Sequence, residues 1–250
     1  MSPQGRIPVN RLMAALPGNS RARDQCELVR LSSGDILAEP GGRIRTVHFP
    51  AGGLISLIAV VEDDNSLEVA LIGAEGVVGV PLMLGAITSS KRALVQLSGA
   101  AWRMGAGDFR RAVLDHAPLR RGIDRYLRTL IAELGRNAAC IRFHLLEARL
   151  ARRLLIAQDR SPNEDIYLTH GVLAKILGVR RSGVTMAAVK LQRRRLILYS
   201  RGGITILDRK GLEQAACSCY RGIPKTATDT EASVRLRVFA RRDKQRVPLR

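Results

Sequence analysis

The apolar period of this chain changes near residue 117, and that change most constrains the fold. Before it, Ile44 to Phe49, Leu54 to Val61, Leu67 to Ile72 and Ala93 to Leu97 are short β-prone runs. Turn signals separate them: Pro40-Gly41-Gly42, Pro50-Ala51-Gly52-Gly53, Glu62 to Ser66 and Gly73 to Gly76. Many short strands at such spacing predict a sandwich, jelly roll or barrel. Residues Gly107 to Ala117 read as helix. From Pro118 onward, Leu119, Ile123, Leu127, Leu130, Leu134, Ala138 and Ile141 recur at helical steps, a heptad-like seam. One such face could pack on the β half. Its regularity favours a twin helix in a parallel dimer. A second helix, about Phe143 to Gln158, runs into the breaker Asp159-Arg160-Ser161-Pro162.

The segment Thr169 to Arg194 reads as two short helices around a tight turn. Leu173, Leu177, Val179, Val184 and Ala187 fall where they point inward, and Ala174 is small where the helices cross. Thr169 is a candidate N-cap. Gly178 follows the first apolar run, where a left-handed C-cap residue is expected. Arg180, Arg181, Ser182, Thr185 and Lys190 then lie on the outer face of the second helix. Arginine can donate two hydrogen bonds to guanine, and Ser and Thr reach bases or phosphates. The pattern predicts a helix-turn-helix whose second helix enters the DNA major groove. Residues 196–199 and 204–207 flank Ser200-Arg201-Gly202-Gly203 as a hairpin, placing Arg201 at the tip of a wing. A helix over about Arg209 to Cys217 closes this part.

Charge agrees with a polyanionic partner. The chain carries 41 Lys+Arg against 22 Asp+Glu, a formal charge of +19, which favours nucleic acid through counterion release. No apolar run of spanning length and no signal-like N-terminus is seen, so a cytoplasmic protein without a membrane partner is expected. Cys26, Cys140, Cys217 and Cys219 are too few and scattered for a disulfide framework. The Cys217-x-Cys219 pair is narrower than adjacent zinc ligands usually are, and His48, His116, His144 and His170 stand apart from one another. A structural role is the favoured reading, with no metal and no cofactor assigned.

The order of β half, long helix and winged helix-turn-helix resembles the Crp/Fnr family of bacterial transcription regulators, which includes the cyclic AMP receptor protein. The likeness rests on residues 147–152 (EARLAR), Leu173 to Gln192, Tyr199-Ser200-Arg201-Gly202, Gly34-Asp35-Ile36-Leu37, Val47-His48-Phe49-Pro50 and residues 73–79. It implies an α+β protein with an N-terminal β-roll, a double-stranded β-helix like the cyclic-nucleotide-binding domains. It also implies a dimerisation helix and a homodimer on a near-palindromic operator of double-stranded DNA, with a contact to RNA polymerase. The corresponding division is a flexible arm over 1–24, a sensor over 25–117, the dimer helix over 118–141, the DNA-binding part over 142–220 and a basic disordered tail over 221–250. That tail holds nine basic residues against three acids, a net +6.

The departures lie at the input end. The family's cyclic-nucleotide cassette has a Gly-Glu pair that holds the ribose, followed by an Arg that pairs the cyclic phosphate. Here Val80 and Pro81 follow Gly79, while Arg92-Ala93 matches the second half. Val80 cannot accept from a ribose hydroxyl, a loss of about 1–3 kcal/mol. Gly79 and Arg92 are therefore candidates for an unidentified effector, with a structural ion pair the equal alternative for Arg92. The four-cysteine Fnr-type cluster is not supported, because Cys26 is the only cysteine before residue 140. Haem would need an axial ligand, for which His48 and His116 are candidates in name only. A DNA-binding regulator, not an enzyme, is the expectation. A cupin-like β-sandwich metalloenzyme with an accessory helical domain is the alternative, and it would require a His/Glu metal cluster in the β half. A winged helix serving protein contacts is a third class.

Overall fold

The structure is a computed structural model and describes residues 9–220 except 19, 62–64, 161–165 and 201–202. The basic tail and the Arg201-Gly202 wing tip lie outside the described residues.

Seven strands form the N-terminal half: β1 (Cys26–Leu31), β2 (Ile36–Ala38), β3 (Thr46–Pro50), β4 (Leu54–Val60), β5 (Ser66–Ile72), β6 (Arg92–Leu97) and β7 (Gly99–Gly105). They make two antiparallel sheets, ordered β1-β7-β3 and β2-β6-β4-β5. Both sheets turn apolar residues inward. Val47 and Phe49 of β3 and Ala101 and Met104 of β7 are buried, as are Leu54 and Ile55 of β4 and Val95 of β6. The β-runs read from the sequence correspond to β3, β4, β5 and β6, within a residue or two at each end. β7 was not anticipated, because it begins Gly-Ala-Ala and lacks a β-branched residue.

The arm expected over residues 1–24 needs correction. From Val9 on, the described part packs against the β half. Leu12, Met13, Leu16 and Ala22 are buried in the same core as Phe49 and Phe109. The Asn10 side chain donates to the carbonyls of Pro50 (2.8 Å) and Gly76 (2.9 Å). Its polar look concealed a few large apolar side chains that fasten it, together with a helical turn, α1 (Arg21–Asp24).

α2 (Ala106–Asp115) leads into α3 (Ala117–Phe143), the long helix expected. The seam on α3 is only partly available to a second chain. Leu119, Ile123 and Leu130 are buried in the chain's own core, and Leu127 and Leu134 pack at its edge. A periodic stripe specifies a face, not what covers it, and here the β half covers the first four turns. Ile131, Ile141, Phe143 and Leu145 remain exposed.

α4 (Leu146–Arg160) carries the chain into β8 (Ile166–Tyr167), α5 (His170–Leu177), α6 (Arg181–Arg193), β9 (Ile197–Ser200), β10 (Gly203–Ile206) and α7 (Arg209–Ala215). One core joins these elements. Leu150, Leu154 and Leu155 of α4 meet Leu173, Val184, Leu191, Ile197, Ile204 and Leu212, all almost fully buried. Leu54, Leu71 and Leu97 from the β half enter the same cluster. Among the described residues no helix is long and apolar enough to cross a membrane.

Candidate nucleic-acid interface

α5 is capped at both ends, and α5 and α6 both turn an apolar face inward. The Thr169 side chain accepts from the Val172 amide at 3.2 Å, satisfying one of the free donors of the first turn. Gly178 takes the left-handed conformation (φ 61°, ψ 46°) that ends α5, and the Val179 amide then reaches back to the Ala174 carbonyl at 3.0 Å. Inward, α6 buries Val184, Ala187, Ala188 and Leu191 against Leu173, Ala174 and Leu177 of α5. The inward set read from the sequence is thus the packed face, with Val179 at its edge.

Outward, α6 and its flanks are cationic. Residues 169–207 contain no Asp or Glu. Arg180, Arg181, Ser182 and Lys190 are exposed, as are Met186, Val189, Gln192 and Arg193. Among the described residues Arg194 pairs with Glu147 at 3.1 Å, whereas Arg180, Arg181 and Lys190 have no ion-pair partner. Thr185 differs from the other candidates. Its hydroxyl donates to the Arg181 carbonyl at 3.1 Å and lies 2.9 Å from His170 Nδ1. His170 stacks on Tyr199 at 4.1 Å between ring centroids, tying α5 to the wing strand. Partial burial and the Arg181 guanidinium lower the His170 pKa. The sequence reading missed His170 and Met186. His170 opens α5 and Met186 follows Thr185, but neither type suggested a role by itself.

The wing is a short antiparallel ladder, Ser200 opposite Gly203 and Ile197 opposite Ile206. β8 pairs on the far side of β10, so the strand before α5 and the strands after α6 share one sheet.

Polar contacts brace this unit internally and, with the shared apolar cluster, seat it on the β half. Arg149 of α4 donates to the Leu177 carbonyl at the end of α5 (2.5 Å). Arg153 makes a two-point ion pair with Glu68 of β5 (2.5 and 2.9 Å), and Ser56 donates to the same carboxylate. A Cβ at Gly178 would lie 2.9 Å from the Leu67 side chain, so the turn between the two helices touches β5.

At the input end, Gly79 (φ 97°) starts a single 3-10 turn over Val80–Leu84. It lines a cavity of about 280 Å³ bounded by Ile44, Leu57, Ile72 and Val78 and by Leu130 and Leu134 of α3. Arg43, Arg45 and Lys91 also border the cavity, and its described lining holds no carboxylate. Arg92 is not part of this lining. Its Nε donates to both oxygens of Glu39 (2.9 and 3.0 Å). His48 is buried in β3, its pKa lowered to about 4 by burial and then by Arg103.

Cys140, His144, Cys217 and Cys219, which the sequence leaves scattered, come together. Their ligand atoms lie within 4.8 Å of one another.

Sequence comparison agrees with this geometry. Residues 148–215 match the Crp-like helix-turn-helix domain. The chain carries a Crp-like helix-turn-helix domain. It is 28% identical to the transcriptional regulator SdrP of Thermus thermophilus over 207 residues, 78% of this chain and 97% of that protein. A Crp/Fnr-family transcriptional regulator structure from Thermus thermophilus superposes with a TM-score of 0.63 at 26% identity, over 76% of this chain and 98% of that one. A Crp/Fnr-family structure from Eubacterium rectale gives a TM-score of 0.66 at 19% identity, over 82% and 97%, and shows the shared fold. These likenesses support the Crp/Fnr family of regulators, and the Crp-like domain supports DNA binding.

Proposed function

We propose that the chain is a Crp/Fnr-type transcription regulator that binds a near-palindromic operator as a homodimer. One observation carries the reading: an acid-free, cationic outer face on a helix packed through its inner face on α5, α4 and the wing strands. Arg180 and Arg181 open that helix beside its free amides, where a phosphate or a guanine edge is favoured. Ser182 accompanies them at the base edges, and Lys190 and Arg201 hold the backbone. Thr185 serves by fixing His170 and the Arg181 turn, since its hydroxyl is already engaged. Exposed Met186 supplies an apolar contact suited to a thymine methyl. The exposed Ile131, Ile141 and Phe143 give a second copy an apolar edge along α3, and pairing there sets two recognition helices about one DNA turn apart. An effector, if the regulator uses one, fits the Gly79 cavity rather than Arg92. The enzyme alternative wants His and Glu ligands in the β half. The metal-capable group among the described residues lies elsewhere and is sulfur-rich.

Operator selection from random DNA followed by fluorescence anisotropy at fixed salt tests this. Arg181→Ala should weaken specific binding by about 1–3 kcal/mol per half-site and leave random-sequence binding less affected. Lys190→Ala should weaken both alike and reduce the salt slope by about 1 per contact. Selection of no sequence, or an Arg181→Ala protein with unchanged operator affinity, refutes the assignment.

A further inference from the structure

We infer that Cys140, His144, Cys217 and Cys219 form a structural site for one zinc-type divalent cation, a feature independent of the DNA reading. Cys140 and His144 lie one helical turn apart at the C-terminal end of α3, His144 being its C-cap. Cys217 and Cys219 follow α7, at the far end of the Crp-like domain. The Cys140 and Cys217 sulfurs are 3.5 Å apart, and the Cys219 sulfur is 3.6 Å from His144 Nδ1. Zn–S bonds of about 2.3 Å at tetrahedral angles put neighbouring ligand atoms about 3.7 Å apart. Two edges of a Cys3His tetrahedron are therefore already close to length, and the remaining four are no longer than 4.8 Å.

The surroundings suit such an ion. The Cys217 amide donates to the Ala148 carbonyl at 3.4 Å, and the Cys219 amide bonds the Cys217 sulfur. Tyr220, next in the chain, is anchored by its hydroxyl to Asp159 (2.8 Å) and Arg209 (2.9 Å). The two cysteines are thus held at both ends of a four-residue stretch. Three thiolates and Zn²⁺ leave a net charge of −1. Arg152 sits against that charge, its Nη1 4.0 Å from the Cys140 sulfur and its Nη2 bonded to Asn137 at 2.6 Å. A cation so placed offsets the charge and orients a ligand. Metal choice follows from the donors: three sulfurs and an imidazole in tetrahedral array select zinc over the oxygen-seeking cations. The ion would fasten the C-terminal end of α3, just before α4, to the segment after α7, clamping the Crp-like domain at its two chain ends.

The test is elemental analysis of the full-length chain purified under reducing conditions, with zinc titrated against a chromophoric chelator. About one zinc per chain is expected. Cys217→Ser and His144→Ala should lose stoichiometric zinc, and Cys26→Ser should keep it. Arg152→Met should weaken zinc binding about 10- to 100-fold. Far-UV circular dichroism separates loss of metal from loss of fold, and the wild-type stoichiometry decides even if a variant fails to fold. The inference is overturned if the reduced wild-type chain takes up no zinc. It is also overturned if the group holds iron and sulfide instead, or if Cys26→Ser lowers zinc as far as Cys217→Ser does.

Discussion

Glu68→Gln should be among the most damaging single changes outside the apolar core. The Glu68 and Arg153 side chains are 7% and 6% exposed and meet at two points. The substitution keeps the shape and an acceptor for Ser56 but leaves the guanidinium buried without its counter-charge. Removing one member of such a pair costs about 3–5 kcal/mol, because the surviving charge has lost its solvation and its partner together. At this chain length each kcal/mol lowers Tm by about 2–4 °C, so a fall of about 10 °C is expected. Differential scanning calorimetry of the reduced protein at pH 7 measures it. Glu68→Leu combined with Arg153→Met should recover most of the loss, since a buried ion pair is often replaceable by packed apolar side chains. A single variant within about 1 kcal/mol of the wild type, or a double variant no better than the single, would refute the argument that charge burial dominates this contact.

Two further perturbations bear on other parts of the fold. His48 is held neutral with a pKa of about 4 against an ordinary 6.5; the unfolded chain therefore binds the extra proton first. Its contribution is fully present above about pH 6.5 and is lost as pH falls toward 4, up to about 3 kcal/mol. His48→Gln should flatten the fall in urea midpoint between pH 7 and pH 4.5, and an unaltered pH profile would exclude His48 as its source. Gly178→Ala forces an L-residue into the left-handed region and presses on Leu67, so a loss of about 1–2 kcal/mol is expected. Gly178→Asn should lose less, because Asn tolerates this conformation; equal losses measured by chemical denaturation would point to the Leu67 contact instead.

The Crp-like domain was legible because its rules are local. The Thr169 cap, the Gly178 turn and the inward spacing from Leu173 to Ala187 depend on residues a few positions apart. The β3 to β6 runs were legible for the same reason, while β7 was hidden by small residues that take their strand form from the β1 and β3 ladders on either side. The Leu119–Leu134 stripe was seen, with the β half and a twin helix as its two candidate partners, but spacing did not decide between them, since a β core and a twin helix ask for the same side chains. Cys140 and Cys217, 77 residues apart, could not be joined by spacing at all. Nor could the Glu68–Arg153 pair be foreseen, because charge in a sequence does not report burial.

The seating of the helix-turn-helix on β5 has a consequence for how this protein can be cut and rejoined. Its recognition helix is not an exchangeable cartridge. A chimera joined between α3 and α4 would bring Arg153 without Glu68 and Gly178 without the Leu67 side chain it rests against. A junction after α4 would separate Leu177 from Arg149 and would still leave Gly178 without Leu67. A graft of this reader onto a foreign β half keeps these contacts only if it carries a matching β5, so the reader's seating extends one strand beyond the helix-turn-helix.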